Sequence, residues 1–156
     1  MISTQVLRRY PFFGMLSEAQ LREIANISEE VGFDKGTVLF SECQPADTLY
    51  LLMEGSVDLT YKSEAEYYPK TRKVFHVGEI NPGEIFSISS LIEPYVLNAT
   101  ATTSTASRAM KIDAPALRKL FENDHDLAYH MMVQVNKALM ERLAATRVQL
   151  AAAWAK

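Results

Sequence analysis

The stretch from Pro45 to Leu59, PADTLYLLMEGSVDL, holds two apolar runs separated by a single glycine. Thr48 to Met53 is rich in Leu, Tyr and Thr and reads as a strand. From Ser56 to Tyr61, Val57, Leu59 and Tyr61 alternate with Ser56, Asp58 and Thr60, the period of a strand with one buried face. Gly55 between them supplies turn torsions that other residues adopt only at a cost, and Asp47 can hydrogen-bond its own turn backbone. The unit is strand, tight turn, strand.

Outward from this hairpin the same rhythm continues. Thr37 to Phe40, Lys73 to Val77, Ala99 to Thr103 and Ser107 to Ile112 are further strand-like runs, punctuated by Gly32, Gly36, Pro45, Gly78 and Pro82-Gly83. This spacing predicts a barrel or sandwich over residues 31–112, with a polar hairpin loop from Lys62 to Arg72. Before it, residues 1–30 carry a Pro11-Phe-Phe turn and a helix opened by Ser17, with Gln20 completing a capping box. After it, residues 113–156 turn helical. Asp113 caps a short helix through Phe121, and Asp124 starts a second that meets no glycine or proline before Lys156. A helix from Asp126 to Trp154 would be on the order of 40 Å long, more than a small barrel needs. Met132, Val135, Leu139, Leu143, Thr146 and Leu150 recur at spacings of three and four, with Glu141, Arg142 and Arg147 outside that seam. The first half can pack on its own barrel; the rest is expected to pair with a second copy as a homodimer.

At 156 residues the chain has the length of one domain, 1–156, with a proper core. Hydrophobic content of 48% against 22% charged excludes a disordered chain, and no apolar run reaches the roughly 18 residues of a membrane span. The N-terminus, MISTQVLRRYPFF, lacks the pattern of a secretion signal, so the Asn98-Ala99-Thr100 sequon is not expected to be used. The single cysteine, Cys43, permits no internal disulfide; a cytoplasmic location is expected. A formal charge of −3 lacks the basic balance of a nucleic-acid binder. Arg8 with Arg9 and the Lys70 to Lys73 segment read as surface solubility.

The succession Phe12-Phe-x-x-Leu-Ser, Gly36-Thr-Val-Leu-Phe-x-Glu, Pro45-Ala-Asp-x-Leu-Tyr-Leu-Leu-x-x-Gly-x-Val-x-Leu and Pro82-Gly-Glu-Ile-Phe resembles the cyclic nucleotide-binding domain. That family includes the sensor halves of catabolite-activator and FNR-type bacterial regulators and regulatory parts of kinases and channels. The resemblance runs from Leu7 to about Leu150. It implies an α+β, mainly β fold, a jelly-roll-like barrel with N-terminal helices and a long C-terminal helix. It further implies a phosphate-binding cassette over residues 82–100 and a non-catalytic regulatory role in signal transduction. Regulators of this type continue into a helix-turn-helix domain; the chain is either a stand-alone sensor or part of a longer protein, and by itself is not expected to bind DNA.

Ligand-binding members carry Phe-Gly-Glu and, several residues later, Arg-x-Ala-Thr. The glutamate holds the ribose hydroxyl, the arginine pairs with the phosphate, and backbone amides of the short helix assist. Here the motifs read Phe86-Ser87-Ile88 and Leu97-Asn98-Ala99-Thr100. Ile88 stands at the glutamate position and Leu97 at the arginine position. No basic residue lies between Ile80 and Arg108 to replace the latter, and Glu84 and Glu93 add negative charge. Losing a buried charge-assisted partner costs about 2–5 kcal/mol, enough to move a micromolar binder to roughly millimolar. The expected pocket, formed by Gly83, Phe86, Ser87, Ile88, Ser89, Leu97, Asn98 and Ala99, is therefore degenerate for cAMP or cGMP. It is either filled by Ile88, Leu91 and Leu97 or open to an uncharged small molecule. Thr146 aligns with a base-contacting threonine of catabolite activators and is the candidate helix lid; Met132, Val135, Leu139, Leu143 and Leu150 are the candidate dimer contacts. Two alternatives stay open: atypical cyclic nucleotide binding in a transcriptional regulator, through backbone amides and Thr146, and a ligand-free scaffold for dimerisation or partner contact.

Other chemistry is thinner. His76 reads as one face of the strand Val74-Phe75-His76-Val77 rather than a haem ligand, Asp126 and His130 lack a third metal ligand, and Cys43 is a weak redox candidate beside Glu42. No nucleophile, base and orienting acid combine. No enzyme, metal or cofactor is implied.

Overall fold

The computed structural model describes residues 2–63 and 73–155, apart from the side chains of Ser63 and Lys73. The hairpin loop expected over residues 62–72 therefore lies largely outside the described residues, Lys62 and Ser63 ending a strand; so do the side chains of the basic segment 70–73. Two short helices, α1 (Thr4–Arg8) and α2 (Glu18–Asn26), lead into eight strands: β1 (Ser28–Phe33), β2 (Val38–Phe40), β3 (Thr48–Glu54), β4 (Val57–Ser63), β5 (Lys73–Ile80), β6 (Ile85–Phe86), β7 (Thr100–Thr103) and β8 (Ser107–Asp113). Helices α3 (Ala114–Asn123) and α4 (His125–Trp154) follow. Two antiparallel four-stranded sheets, ordered β1-β8-β3-β6 and β2-β7-β4-β5, face each other as a jelly roll.

The opening run Leu49-Tyr-Leu-Leu52 is buried at every position because β3 is covered on both faces. Leu49 and Leu51 join Met110, Ile112, Leu21, Ile24, Leu117 and Met131 in a cluster between the first sheet and the helices. Tyr50 and Leu52 point the other way, joining Val57, Ile80, Phe86, Ala101 and Ala109 between the sheets. A period of two in side-chain direction thus distributes one strand between two cores. Gly55 turns at φ 98°, and a Cβ there would stand 2.2 Å from Ser107 Oγ, so the β3–β4 turn demands glycine on steric as well as torsional grounds.

Two strands depart from the sequence expectation. β1 falls where helix was expected to give way to barrel, and pairs with β8 in register Ser28↔Ile112 to Phe33↔Ser107. It is an edge strand whose Glu29, Glu30 and Gly32 are exposed, so it carries little apolar alternation. β6 has two residues, too few for any period.

The helix starts are built from side chains. Ser17 accepts from the Gln20 N–H (3.2 Å), and Gln20 Oε1 accepts from the Ser17 N–H (2.9 Å). The Gln20 amide then donates to Asp124 (3.2 Å) and Asp126 (2.9 Å), tying α2 to the start of α4. Asp124 caps α4 by accepting from the Leu127 N–H (3.0 Å); that bond, then Gln20, holds its carboxyl below the ordinary range. The helix α4 runs 30 residues, about 45 Å. Its first half buries Leu127, Met131 and Val135 in the helical core, with Met132 and Ala138 packed against it. Val135 is thereby removed from the expected dimer contacts, because the domain's own core covers it; Met132 packs against that core and stays partly exposed.

Phe86 ends β6 and stacks on Tyr50, with centroids 5.0 Å apart and planes 14° from parallel, while Phe40 lies 6.1 Å beyond. Phe86→Ala is expected to cost about 3–5 kcal/mol in urea unfolding, the range for a fully buried aromatic. A loss under 1 kcal/mol would mean this stack does not anchor the cassette.

Candidate functional site

Past Phe86 the chain leaves the strand abruptly. Ser87 takes a left-handed conformation (φ 64°), turning it into a single 3-10 turn, Ile88–Leu91, closed by the Ser90 N–H on the Ser87 carbonyl at 3.0 Å. The return segment is pinned to the 41–46 loop by three backbone bonds: Ala46 N–H to Tyr95 O (2.8 Å), Leu97 N–H to Gln44 O (2.9 Å) and Cys43 N–H to Leu97 O (2.8 Å). The Arg118 guanidinium of α3 covers the Tyr95 ring at 3.8 Å from its centroid, a cation–π contact that fastens the cassette to the C-terminal helices. Turn and return segment frame a hollow rather than a packed wall.

That hollow is a cavity of about 560 Å3. The cassette lines it with Ser87, Ile88, Ser89, Leu97, Asn98 and Ala99; the barrel adds Phe40, Leu59, Tyr61 and Val77; α4 closes the far side with Leu139, Arg142 and Thr146. Ile88 and Leu97 are both buried on its wall, at 8% and 5% exposure. Where the family pattern wants a carboxylate and a guanidinium, this cavity presents two aliphatic side chains.

Several expected site residues lie elsewhere. Phe86 is fully buried in the aromatic stack beneath the cavity and is absent from its lining. Gly83 (φ 90°) donates its N–H to Leu52 O at 2.7 Å and opens onto a separate groove with Pro11, Phe12 and Lys137. Both hold the cassette's shape and touch nothing inside it. Leu139, expected at the dimer contact, borders the cavity and is also 43% exposed. Thr146 reaches the cavity as expected of the lid, but its hydroxyl donates to the Arg142 carbonyl at 2.8 Å, so it is engaged with its own helix.

The residue that the sequence reading left outside is Arg142. It is half-buried, it lines the cavity, and its guanidinium donates to the Ile85 carbonyl. Burial pulls its pKa down, while the charges of Glu84 and Glu141 oppose that pull; an arginine remains a cation throughout. A signal for it existed. Thr146 had been placed on the lid, and Leu139 and Arg142 lie seven and four residues before it, on the same helix face.

The histidines stay outside the site. His76 faces outward with Nε2 3.2 Å from Asp58, and His130 pairs with Asp126 at 3.3 Å along α4. Among the described residues no group of three His, Cys, Asp or Glu side chains could hold a metal, and no helix is long and apolar enough to cross a membrane.

Comparison with known proteins agrees with this architecture. A protein of Geobacter metallireducens GS-15, named after cyclic nucleotide binding, superposes with TM-score 0.78 at 38% identity, covering 92% of this chain and 99% of that one. The N-terminal domain of a transcriptional regulator from Streptomyces coelicolor A3(2) gives 0.66 at 27% identity, over 87% and 93%. The CRP-like cAMP-activated global transcriptional regulator of Mycobacterium tuberculosis is 24% identical over 147 residues, which are 94% of this chain and 61% of that regulator's length. Residues 30–124, from the first strand through the cassette to the cap of α4, match the cyclic nucleotide-binding domain, and with the jelly roll and its cassette they place the chain in that family.

Proposed function

We propose that the chain is a non-catalytic sensor module whose cassette cavity takes a small, mainly apolar ligand in place of a cyclic nucleotide held by the usual anchors. The observation that carries this is the 560 Å3 of space bounded by Ile88 and Leu97 on one side and by α4 on the other. Its size falls within the range of small-molecule sites, and its wall is mostly hydrocarbon, with hydroxyls, Asn98, Glu93 and Arg142 as the polar groups. Had Ile88, Leu91 and Leu97 filled the pocket themselves, the ligand-free scaffold would be the better reading. Atypical cyclic nucleotide binding has less support, since Thr146 is bonded to its own helix and no cassette side chain offers a cation.

Response follows from position. A ligand touching both cassette and α4 would favour one placement of the helix over another, by its difference in affinity for the two. The exposed second half of α4 would pass that change to a second copy. The test is titration with the neutral dye N-phenyl-1-naphthylamine, followed by fluorescence, beside cAMP. Dye binding that weakens about tenfold in Ala99→Trp, which fills the cavity, is expected, with no response to cAMP at the same concentrations. Dye binding indifferent to Ala99→Trp would refute the proposal.

A further inference from the structure

We propose that a side chamber next to the cavity takes a protonated amine carried by the ligand, with the Asp47 carboxylate and the Tyr50 hydroxyl as its acceptors. The inference rests on the cavity being a ligand site and assigns that ligand a chemical class: an apolar body with an ammonium on a short tail.

The chamber has a volume of about 190 Å3. Phe40, Ser87 and Leu97 line it and the main cavity alike, so the two spaces adjoin across these three side chains. Its remaining wall includes Asp47, Thr48 and Tyr50. The strand period turns Thr48 and Tyr50 to the same face of β3, the face that looks between the sheets.

Hydroxyls in this wall are buried without partners. Tyr50 is 7% exposed, and its ring is held by the stack on Phe86 and by Phe40, whose centroid lies 5.8 Å away. No hydrogen bond reaches its hydroxyl among the described residues, and burial alone pushes its pKa up. Ser87, at 9% exposure, makes no capping bond to the 3-10 turn with its side chain. Folded proteins ordinarily satisfy buried hydroxyls, because leaving them unbonded is costly. A fixed, unbonded hydroxyl facing an open chamber is placed to bond something that enters it.

Charge decides what that is. Asp47 is the charged residue of the chamber; it is exposed, so it stands where the chamber meets solvent. Among the described residues no basic side chain lies within ion-pair distance of it. A carboxylate or phosphate would be repelled there, whereas an ammonium brings three donors and no acceptor to a wall of oxygen acceptors. Arg142, across the main cavity, disfavours leaving that cation in the cavity itself. Apolar body and ammonium thus have separate places.

Two fluorescent dyes that differ by one terminal amine test this. Dansylcadaverine carries a five-carbon tail ending in an ammonium; N-pentyldansylamide has the same body and tail without it. The parent is expected to bind dansylcadaverine about tenfold more tightly, a preference that Asp47→Asn brings to within about twofold and Tyr50→Phe lowers about threefold or more. Neutral-dye binding should hold in both variants, since neither residue lines the main cavity, and Ala99→Trp should weaken both dyes. Tyr50→Phe should also unfold in urea at no lower concentration than the parent, because its hydroxyl has no bond to lose; a lower midpoint would show that hydroxyl already engaged, against the proposal. Equal binding of the two dyes by the parent overturns the chamber while leaving the cavity as a site. A preference for the amine that is untouched by Tyr50→Phe assigns it to the acidic surface at large and overturns the chamber equally. Failure of both dyes removes the cavity as a site for such a body, and the amine with it.

Discussion

The double variant Ile88→Glu, Leu97→Arg is expected to bind cAMP where the parent does not, with a gain of about a hundredfold or more by calorimetric titration. Both side chains line the cavity wall, so longer polar replacements can extend into 560 Å3 of space without displacing the core. The barrel frame and the backbone of the cassette turn are already in place; the two anchors are what is missing. Each restored charge-assisted contact is worth about 2–5 kcal/mol, and one such contact alone spans roughly thirtyfold to several thousandfold in affinity. The gain has a cost without ligand, because two charges then sit where hydrocarbon was. The empty variant should melt below the parent and recover on adding cAMP, since a ligand that binds only the folded state raises stability with concentration. A folded double variant that binds cAMP no better than the parent would show that the two aliphatic replacements do not account for the missing affinity. The single variants sharpen the test. Leu97→Arg addresses the phosphate and should recover more than Ile88→Glu, which addresses one hydroxyl.

What could be read beforehand divides along physical lines. β3 and β4 were legible because a glycine that no other residue can replace separates two runs with strand chemistry. The run Leu49 to Leu52 did not by itself say that its two faces serve different cores, since a strand buried on both sides shows no alternation. β1 escaped because an edge strand with exposed glutamates lacks the pattern on which strand reading depends. In the site, Ile88 and Leu97 were found by alignment to a motif, and the cavity they border could not be, because empty volume is a property of the whole packing. Arg142 was passed over for a different reason: a charge on an amphipathic helix is usually solvated, and only its phase relative to Val135 and Thr146 marks it as facing inward. The seam on α4 was read as one continuous stripe. Its surroundings change along its length: the core takes Val135 with Met132 packed against it, Leu139 borders the cavity while staying 43% exposed, and solvent takes Leu143 and Leu150.

That last division determines the second large effect, loss of self-association in Leu143→Lys, Leu150→Lys. Leu143, Leu150 and Trp154 are 51%, 57% and 82% exposed and recur at spacings of seven and four, along one stripe of a helix that extends past its own barrel. Apolar surface of this kind on a rigid helix is the usual mark of a contact surface, and its spacing suits the same stripe on a second copy. The parent is expected to be a dimer by light scattering at micromolar concentration. The double variant should be monomeric there, because two ammonium groups per chain would be buried in the seam, or else hold it apart. Its far-ultraviolet circular dichroism and urea midpoint should stay close to the parent's, since neither leucine touches the core. Leu139→Lys makes the informative contrast: it should weaken dye binding more than dimerisation, because that side chain faces the cavity. A monomeric parent would remove the second copy from the proposed response, leaving the long helix to act on some other partner. A dimeric double variant would instead place the contact elsewhere, and the exposed half of α4 would then not be the element through which the cavity is read.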